Sequence, residues 1–235
     1  MSDTESAVSL SIDNDIAVIA IDDGKANALS HAVIDDVDSA LDDAIANSKV
    51  VVLQGRPGKF CAGFDLSVMN DGGSAVTDLV QAGGELCVRL FMLPRPVVAA
   101  CTGHALAAGA IMLESCDHRI GVDGAFKIGT NEVAIGMILP QFAVDLAQYR
   151  LSKRHFSRAT MGAGVYSPAE AADVGYLDEV CSPEEFEAKV METAQSYVGL
   201  NLKAFEGTRQ RARGPIAEKI LTELVSDLTE FEVHP

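Results

Sequence analysis

The sequence contains no tryptophan, and aromatic residues of every kind fill only 6% of its 235 positions. Basic side chains are scarce as well, 18 against 34 acidic ones, which leaves a formal net charge of −16. Nucleic acid and anionic membrane surfaces are held by clustered Lys and Arg, so neither is expected as a partner. An anionic ligand has to be gripped by local features instead of by the global field. The five cysteines, Cys61, Cys87, Cys101, Cys116 and Cys181, are widely spaced and form no CxxC pair. They support neither a disulfide framework nor a zinc site, so no metal is expected, and three of them sit in apolar or small-residue runs that suit reduced thiols. The N-terminus, Met1-Ser2-Asp3-Thr4-Glu5, lacks a basic segment followed by an apolar one, so no signal peptide is expected. Together these features lead to a cytoplasmic expectation. The run Val97 to Leu113 is nearly free of charge, but it is short for a membrane span. It carries Gly103, His104 and Gly109 and is better read as buried core.

What is present is a strongly patterned chain, 48% hydrophobic, long enough to bury a sizeable core. Val8 to Ile12 alternates, Asp13-Asn14-Asp15 turns, and Ile16 to Ile21 completes an opening hairpin. Ser30 is placed to cap a helix whose apolar residues Val33, Ile34, Val37, Leu41 and Ile45 recur every three or four positions. The β-branched run Val50 to Gly55 then reads as a buried parallel strand. Helix and strand alternate again through Ser74 to Leu93, Val97 to Thr102, Ala108 to Cys116 and His118 to Val122, with short strand-like Ala125 to Ile128. Beyond Gly136 the pattern is mostly helical. A last short strand is expected over 176–181, and the final stretches are read as two helices, 200–213 and 215–231. The stripe Ile216, Ile220, Leu224, Leu228 and Phe231 is expected to pack on a neighbour. The fold class read from this pattern is α/β.

Two segments carry chemistry. One is Arg95 to Ala110, where a β-branched run enters the small-residue turn Ala107-Ala108-Gly109. Such residues allow close backbone approach and leave N–H groups open at a helix start. The other is Gly129-Thr130-Asn131-Glu132, a carboxylate in apolar surroundings.

Three markers in order then resemble the crotonase (enoyl-CoA hydratase/isomerase) superfamily, over roughly residues 8 to 185. They are Gly58-Lys59-Phe60-Cys61-Ala62-Gly63-Phe64-Asp65-Leu66; Pro96 to Ala100 with Gly103 to Gly109 and Cys116-Asp117; and Asn131 to Gly136 with Ser167 to Ala171 and Gly175 to Asp178. The resemblance implies a crotonase-like spiral of ββα turns over 1–185. It also implies a C-terminal helical region, 186–235, that packs in homotrimers or dimers of trimers. An acyl-CoA thioester is the implied substrate. No separate cofactor is implied, since coenzyme A enters as part of the substrate.

By the same resemblance the N–H groups of Phe64 and Ala108 stabilise the thioester oxygen as it becomes enolate-like. One such donor is worth about 3 kcal/mol in a transition state. The family's usual glycines are replaced by Ala107 and Ala108, which keep their N–H groups provided that φ need not be positive there. Hydratases of the family hold water between two glutamates. Glu132 matches one of them; the other falls three residues after Ala108, where this chain has Ile111. A single carboxylate suits proton transfer between two carbons better than water addition. The Asn131-Glu132 pair looks most like the 3,2-enoyl-CoA isomerases, and Glu132 is assigned as the base. Ile111, Ile128, Val133, Ile135 and Met137 are expected to surround it and raise its pKa. Candidate substrate contacts are Lys25, Ala26, Lys59, Ala62, Asp65, Leu66 and Ile111. Glu114 is expected in a structural ion pair, Glu85 on a solvated face and His104 in a structural role, while the loop Leu66 to Ser74, with Gly72 and Gly73, is expected to be mobile. Two rivals to the isomerase remain at this point, an enoyl-CoA hydratase or other crotonase-type enzyme and a non-catalytic acyl-CoA-binding protein.

Overall fold

A computed structural model describes residues 6–71 and 73–229. Met1 to Glu5, Gly72 and Phe231 lie outside the described residues.

The hairpin forms as the alternation demands, with β1 (Val8–Asp13) antiparallel to β2 (Ile16–Ile21). Ser30 Oγ accepts from the Val33 N–H at 3.3 Å and caps α1 (His31–Asn47), whose buried residues include Val33, Ile34, Val37 and Leu41. Then come β3 (Val50–Gly55), β4 (Gly58–Cys61), α2 (Leu66–Asp71), α3 (Ser74–Met92), β5 (Val97–Cys101) and β6 (Gly103–Leu106). The sequel is α4 (Ala108–Ser115), β7 (His118–Val122) and β8 (Ile128–Gly129), a 3-10 turn over Glu132–Ile135, α5 (Gln141–Arg150), α6 (Phe156–Ala159) and α7 (Pro168–Val174). The chain closes with β9 (Glu179–Cys181), α8 (Pro183–Val198) and α9 (Leu202–Thr229).

The larger sheet has six strands in the order β1-β2-β3-β5-β7-β9, parallel after the first pair. Its central β3 and β5 are buried on both faces almost throughout, as their unbroken apolar runs require. The second sheet, β4-β6-β8, is parallel and short. Each larger-sheet strand β3, β5 and β7 hands over to a strand of the smaller sheet, which gives the repeated ββα turns that the resemblance implied. The large core lies between α1, α3, α4 and the main sheet, while α8 covers the other face of that sheet.

Several expectations need correction. Residues 103–106, given no element between the expected strand and the Ala107-Ala108-Gly109 turn, form β6, because Gly103 lets β4 pass so close that a Cβ there would lie 2.1 Å from the Gly58 carbonyl carbon. The strand expected at 125–128 shrinks to Ile128–Gly129. The expected helices 200–213 and 215–231 are one helix, α9, running through Pro215. An internal proline costs about 3 kcal/mol in a helix, and the helix is pinned just before it. Arg209 donates to the Leu93 carbonyl and to Asp117, and Arg213 donates to the Phe91 carbonyl at 2.9 Å and pairs with Asp117 at 2.8 Å. Ile220, Leu224 and Leu228 are buried in the core of their own chain, and α9 packs along α3 and α5. No helix among the described residues is long and apolar enough to cross a membrane.

Candidate active site

A cavity of about 720 Å³ opens between the β2–α1 loop, the β4–α2 connection, the start of α4 and the 3-10 turn. Its wall is mainly apolar, with Val33, Met69, Val80, Ile111, Met137 and Phe142 among its lining residues.

Three backbone segments converge there. Leu29 forms a parallel bridge with Phe64: the Leu29 N–H donates to the Gly63 carbonyl at 2.8 Å, and the Asp65 N–H donates to the Leu29 carbonyl at 3.0 Å. In such a bridge the middle residue turns its own N–H to the opposite side. A Cβ on Gly63 would lie 2.9 Å from Ala107 Cβ and 3.6 Å from the Ala108 nitrogen, so the residue before Phe64 packs against the Ala107–Ala108 turn. The Gly63–Phe64 and Ala107–Ala108 segments therefore meet at the cavity. Ala108 is the first residue of α4, so its N–H has no acceptor within the helix. Gly109 permits this approach, because a Cβ there would lie 2.2 Å from the Cys61 carbonyl oxygen.

The proviso on the alanines is not met at Ala107. Its φ is +51° with ψ −126°, a conformation that glycine adopts far more readily, whereas Ala108 is not among the residues of positive φ. The open N–H survives at the cost of a strained alanine.

Glu132 begins the 3-10 turn and is 5% exposed. Its Oε2 is buried without a hydrogen-bond partner. Burial raises its pKa to about 7, opposed only by a hydrogen bond from its own backbone N–H. The expected apolar surroundings are partly corrected: Ile111, Ile135 and Met137 line the cavity and Ile128 is buried, but Val133 is not part of the lining. The segment is fixed from behind by Thr130, whose hydroxyl donates to the Ala159 carbonyl at 3.0 Å and shares a 3.1 Å hydrogen bond with the fully buried Tyr176 hydroxyl.

The cavity holds two further carboxylates, and both are engaged. Asp23 accepts from the N–H groups of Lys25, Asn27 and Ala28 at 2.7, 2.9 and 3.2 Å. Burial pushes its carboxyl up, but these bonds together hold it below the ordinary range. Asp65 accepts from the Ser67 N–H at 2.8 Å and hydroxyl at 2.7 Å. Glu132 is thus the one acid of the lining left for chemistry.

Of the other expected contacts, Lys25, Ala26, Ala62, Asp65, Leu66 and Ile111 line the cavity. Lys59 does not, and its charge stands near His104. His104 is structural: its Nδ1 accepts from the Lys127 N–H at 3.0 Å, its ring meets Phe126 edge to face, and burial with Lys59 and Lys127 lowers its pKa. Glu85 is exposed and accepts from Gln81 at 2.9 Å. The ion pair expected for Glu114 is absent. Its carboxyl is 0% exposed with neither oxygen hydrogen-bonded. Burial raises its pKa well above the ordinary value, with Arg119 and Arg150 opposing and Glu132 adding to the rise. Arg150 donates instead to the Glu114 backbone carbonyl at 2.7 Å.

Asn27, which no motif singles out, organises the cavity mouth. Fully buried at φ +55°, its amide donates to the carbonyls of Ile21 at 2.7 Å and Lys59 at 3.1 Å, joining the β2–α1 loop to β4. The signal was the Asp22-Asp23-Gly24 turn preceding a buried polar residue.

Residues 11–227 match the family model described as enoyl-CoA hydratase/isomerase. The chain is 28% identical over 222 residues to human mitochondrial enoyl-CoA delta isomerase 1, covering 92% of this chain and 73% of that protein. It is 31% identical over 195 residues to a probable enoyl-CoA hydratase of Bacillus subtilis, covering 81% and 74%. A crystal structure of an enoyl-CoA hydratase/isomerase family protein from Pseudomonas syringae superposes with a TM-score of 0.94 at 35% identity, covering 96% of this chain and 98% of that one.

Proposed function

The chain belongs to the enoyl-CoA hydratase/isomerase family, whose members act on acyl-CoA thioesters in fatty-acid metabolism, and from that premise we propose that it moves the double bond of a 3-enoyl-CoA to the 2-trans position. The relatives include proteins named for isomerisation and for hydration, so their names do not choose between the two. The observation that carries the reading is the pairing of one unengaged carboxylate, Glu132, with an alkyl group at Ile111, where a second acid would stand.

In this reading the thioester oxygen sits between the Phe64 and Ala108 N–H groups. Glu132 takes a proton from C2; the C–H electron pair forms the C1–C2 double bond, and the carbonyl pair moves onto oxygen. The amides stabilise that oxygen, each contributing about 3 kcal/mol in the transition state. Glu132 then returns its proton to C4. The carbonyl reforms, the double bond settles between C2 and C3, and the carboxylate is regenerated. A pKa of about 7 suits a group that must both take and give a proton near neutrality. Hydration would need a second carboxylate on the water, and Asp23 and Asp65 are already occupied by backbone and Ser67 donors.

The test is turnover of a 3-enoyl-CoA by the native protein and by Glu132→Gln, followed through the absorbance of the conjugated product. The variant should lose at least about a hundredfold in kcat. Undiminished isomerisation would remove Glu132 from its role.

A further inference from the structure

Two adjacent glycines, Gly83 and Gly84, stand in the interior of α3. Glycine is disfavoured in a helix interior relative to alanine, so a packing reason is expected. At Gly83 it is severe: a Cβ would lie 2.3 Å from Phe64 Cε1 and 2.5 Å from Cζ. At Gly84 a Cβ would lie 3.0 Å from Leu224 Cδ1 and 3.3 Å from Phe142 Cδ1 and Cε1, which small shifts can accommodate. Phe64 and Phe142 both line the active-site cavity. The glycine pair is therefore a notch in α3 that receives two aromatic walls of the cavity, and Phe64 lies between the cavity and Gly83.

We propose that Gly83 is a specificity-determining residue: by letting the Phe64 ring lie against α3, it sets the length of acyl chain that the cavity accepts. A methyl group at position 83 leaves the ring no room on the helix side and drives it toward the cavity. The carbons next to the thioester, held by the Phe64 and Ala108 amides, are unaffected, while carbons further along the chain meet the ring. The inference rests on the acyl-CoA reading of the site, though not on which reaction follows binding.

The experiment is calorimetric binding of two saturated, unreactive thioesters, butyryl-CoA and dodecanoyl-CoA, to the native protein, Gly83→Ala, Phe64→Ala and the double variant. Gly83→Ala should weaken dodecanoyl-CoA about tenfold relative to butyryl-CoA, equivalent to losing roughly two buried methylenes. In the Phe64→Ala background the same change should leave the ratio unmoved, because no ring remains to displace. An unchanged ratio in Gly83→Ala, or equal weakening of both ligands, overturns the proposal. Should Gly83→Ala not fold, Phe64→Ala decides alone: its ratio must shift toward the longer chain, and an unshifted ratio overturns the proposal. Failure of the native protein to bind either thioester would instead overturn the acyl-CoA reading on which the inference rests.

Discussion

The Ala107 N–H donates to the Gly129 carbonyl at 3.1 Å. That bond continues the β6–β8 pairing, Ala105 with Ile128 and Leu106 with Gly129, by one further step. It ties the turn that presents the Ala108 N–H to the strand that delivers Glu132 three residues later. The proposed oxyanion donor and the proposed base are therefore positioned by one short sheet, and a shift of either strand would move both.

Ala107 carries the strain of that arrangement. At φ +51° an alanine is disfavoured where a glycine is not. Ala107→Gly should raise stability by about 1 kcal/mol, measured by urea unfolding. Unchanged or lowered stability would show that the strain is not there.

As the proposed base, Glu132 would link catalysis to pH. With a pKa of about 7, its carboxylate form is lost as pH falls, so kcat/KM for isomerisation should rise through a midpoint near 7. Stability moves the other way. A carboxyl whose folded pKa lies above its unfolded value costs nothing below about 4.5, and its full penalty is present above 7, about 3 kcal/mol for 2.5 pKa units. Glu132→Gln should therefore be more stable than the native protein by about that amount at pH 8, with the difference vanishing near pH 4. A pH-independent difference between the two unfolding curves would contradict this.

Glu114 should behave as a purely structural liability. Both carboxyl oxygens are buried and unbonded, a cost of about 1–3 kcal/mol. Glu114→Met should stabilise the fold by that order and leave isomerisation in place, checked by thermal unfolding and turnover. Destabilisation would mean that the carboxyl has a role in holding the core.

Asp117 holds α9 onto the core through Arg209 and Arg213, and it accepts from the Val97 N–H at 2.8 Å. Asp117→Ala leaves two buried guanidinium groups without their counter-charge. It should cost about 3–5 kcal/mol, seen as a lowered urea midpoint. A loss below 1 kcal/mol would show that the two arginines are satisfied by backbone carbonyls alone.

Much of this site is legible in the sequence. Hydrophobic periodicity located α1, α3 and the main-sheet strands because each buries a regular apolar pattern. The motif spacing brought Phe64, Ala108 and Glu132 to attention, and all three segments do converge. The smaller sheet was less visible: β4 and β6 have four residues each and begin with glycine, too short for alternation to register. Pro215 suggested a break that the Arg209 and Arg213 anchors override. The missing ion pair at Glu114 and the positive φ at Ala107 are properties of packing, and no local pattern announces them.

In the proposed reaction one carboxylate shuttles a proton where a pair would add water. The most direct measurement presents the native protein, side by side, with a 3-enoyl-CoA and with crotonyl-CoA, and compares kcat/KM for isomerisation and for hydration. The conjugated 2-enoyl-CoA should form, with hydration slower by roughly a hundredfold or more, the usual worth of one acid–base group. Hydration as fast as isomerisation would contradict it.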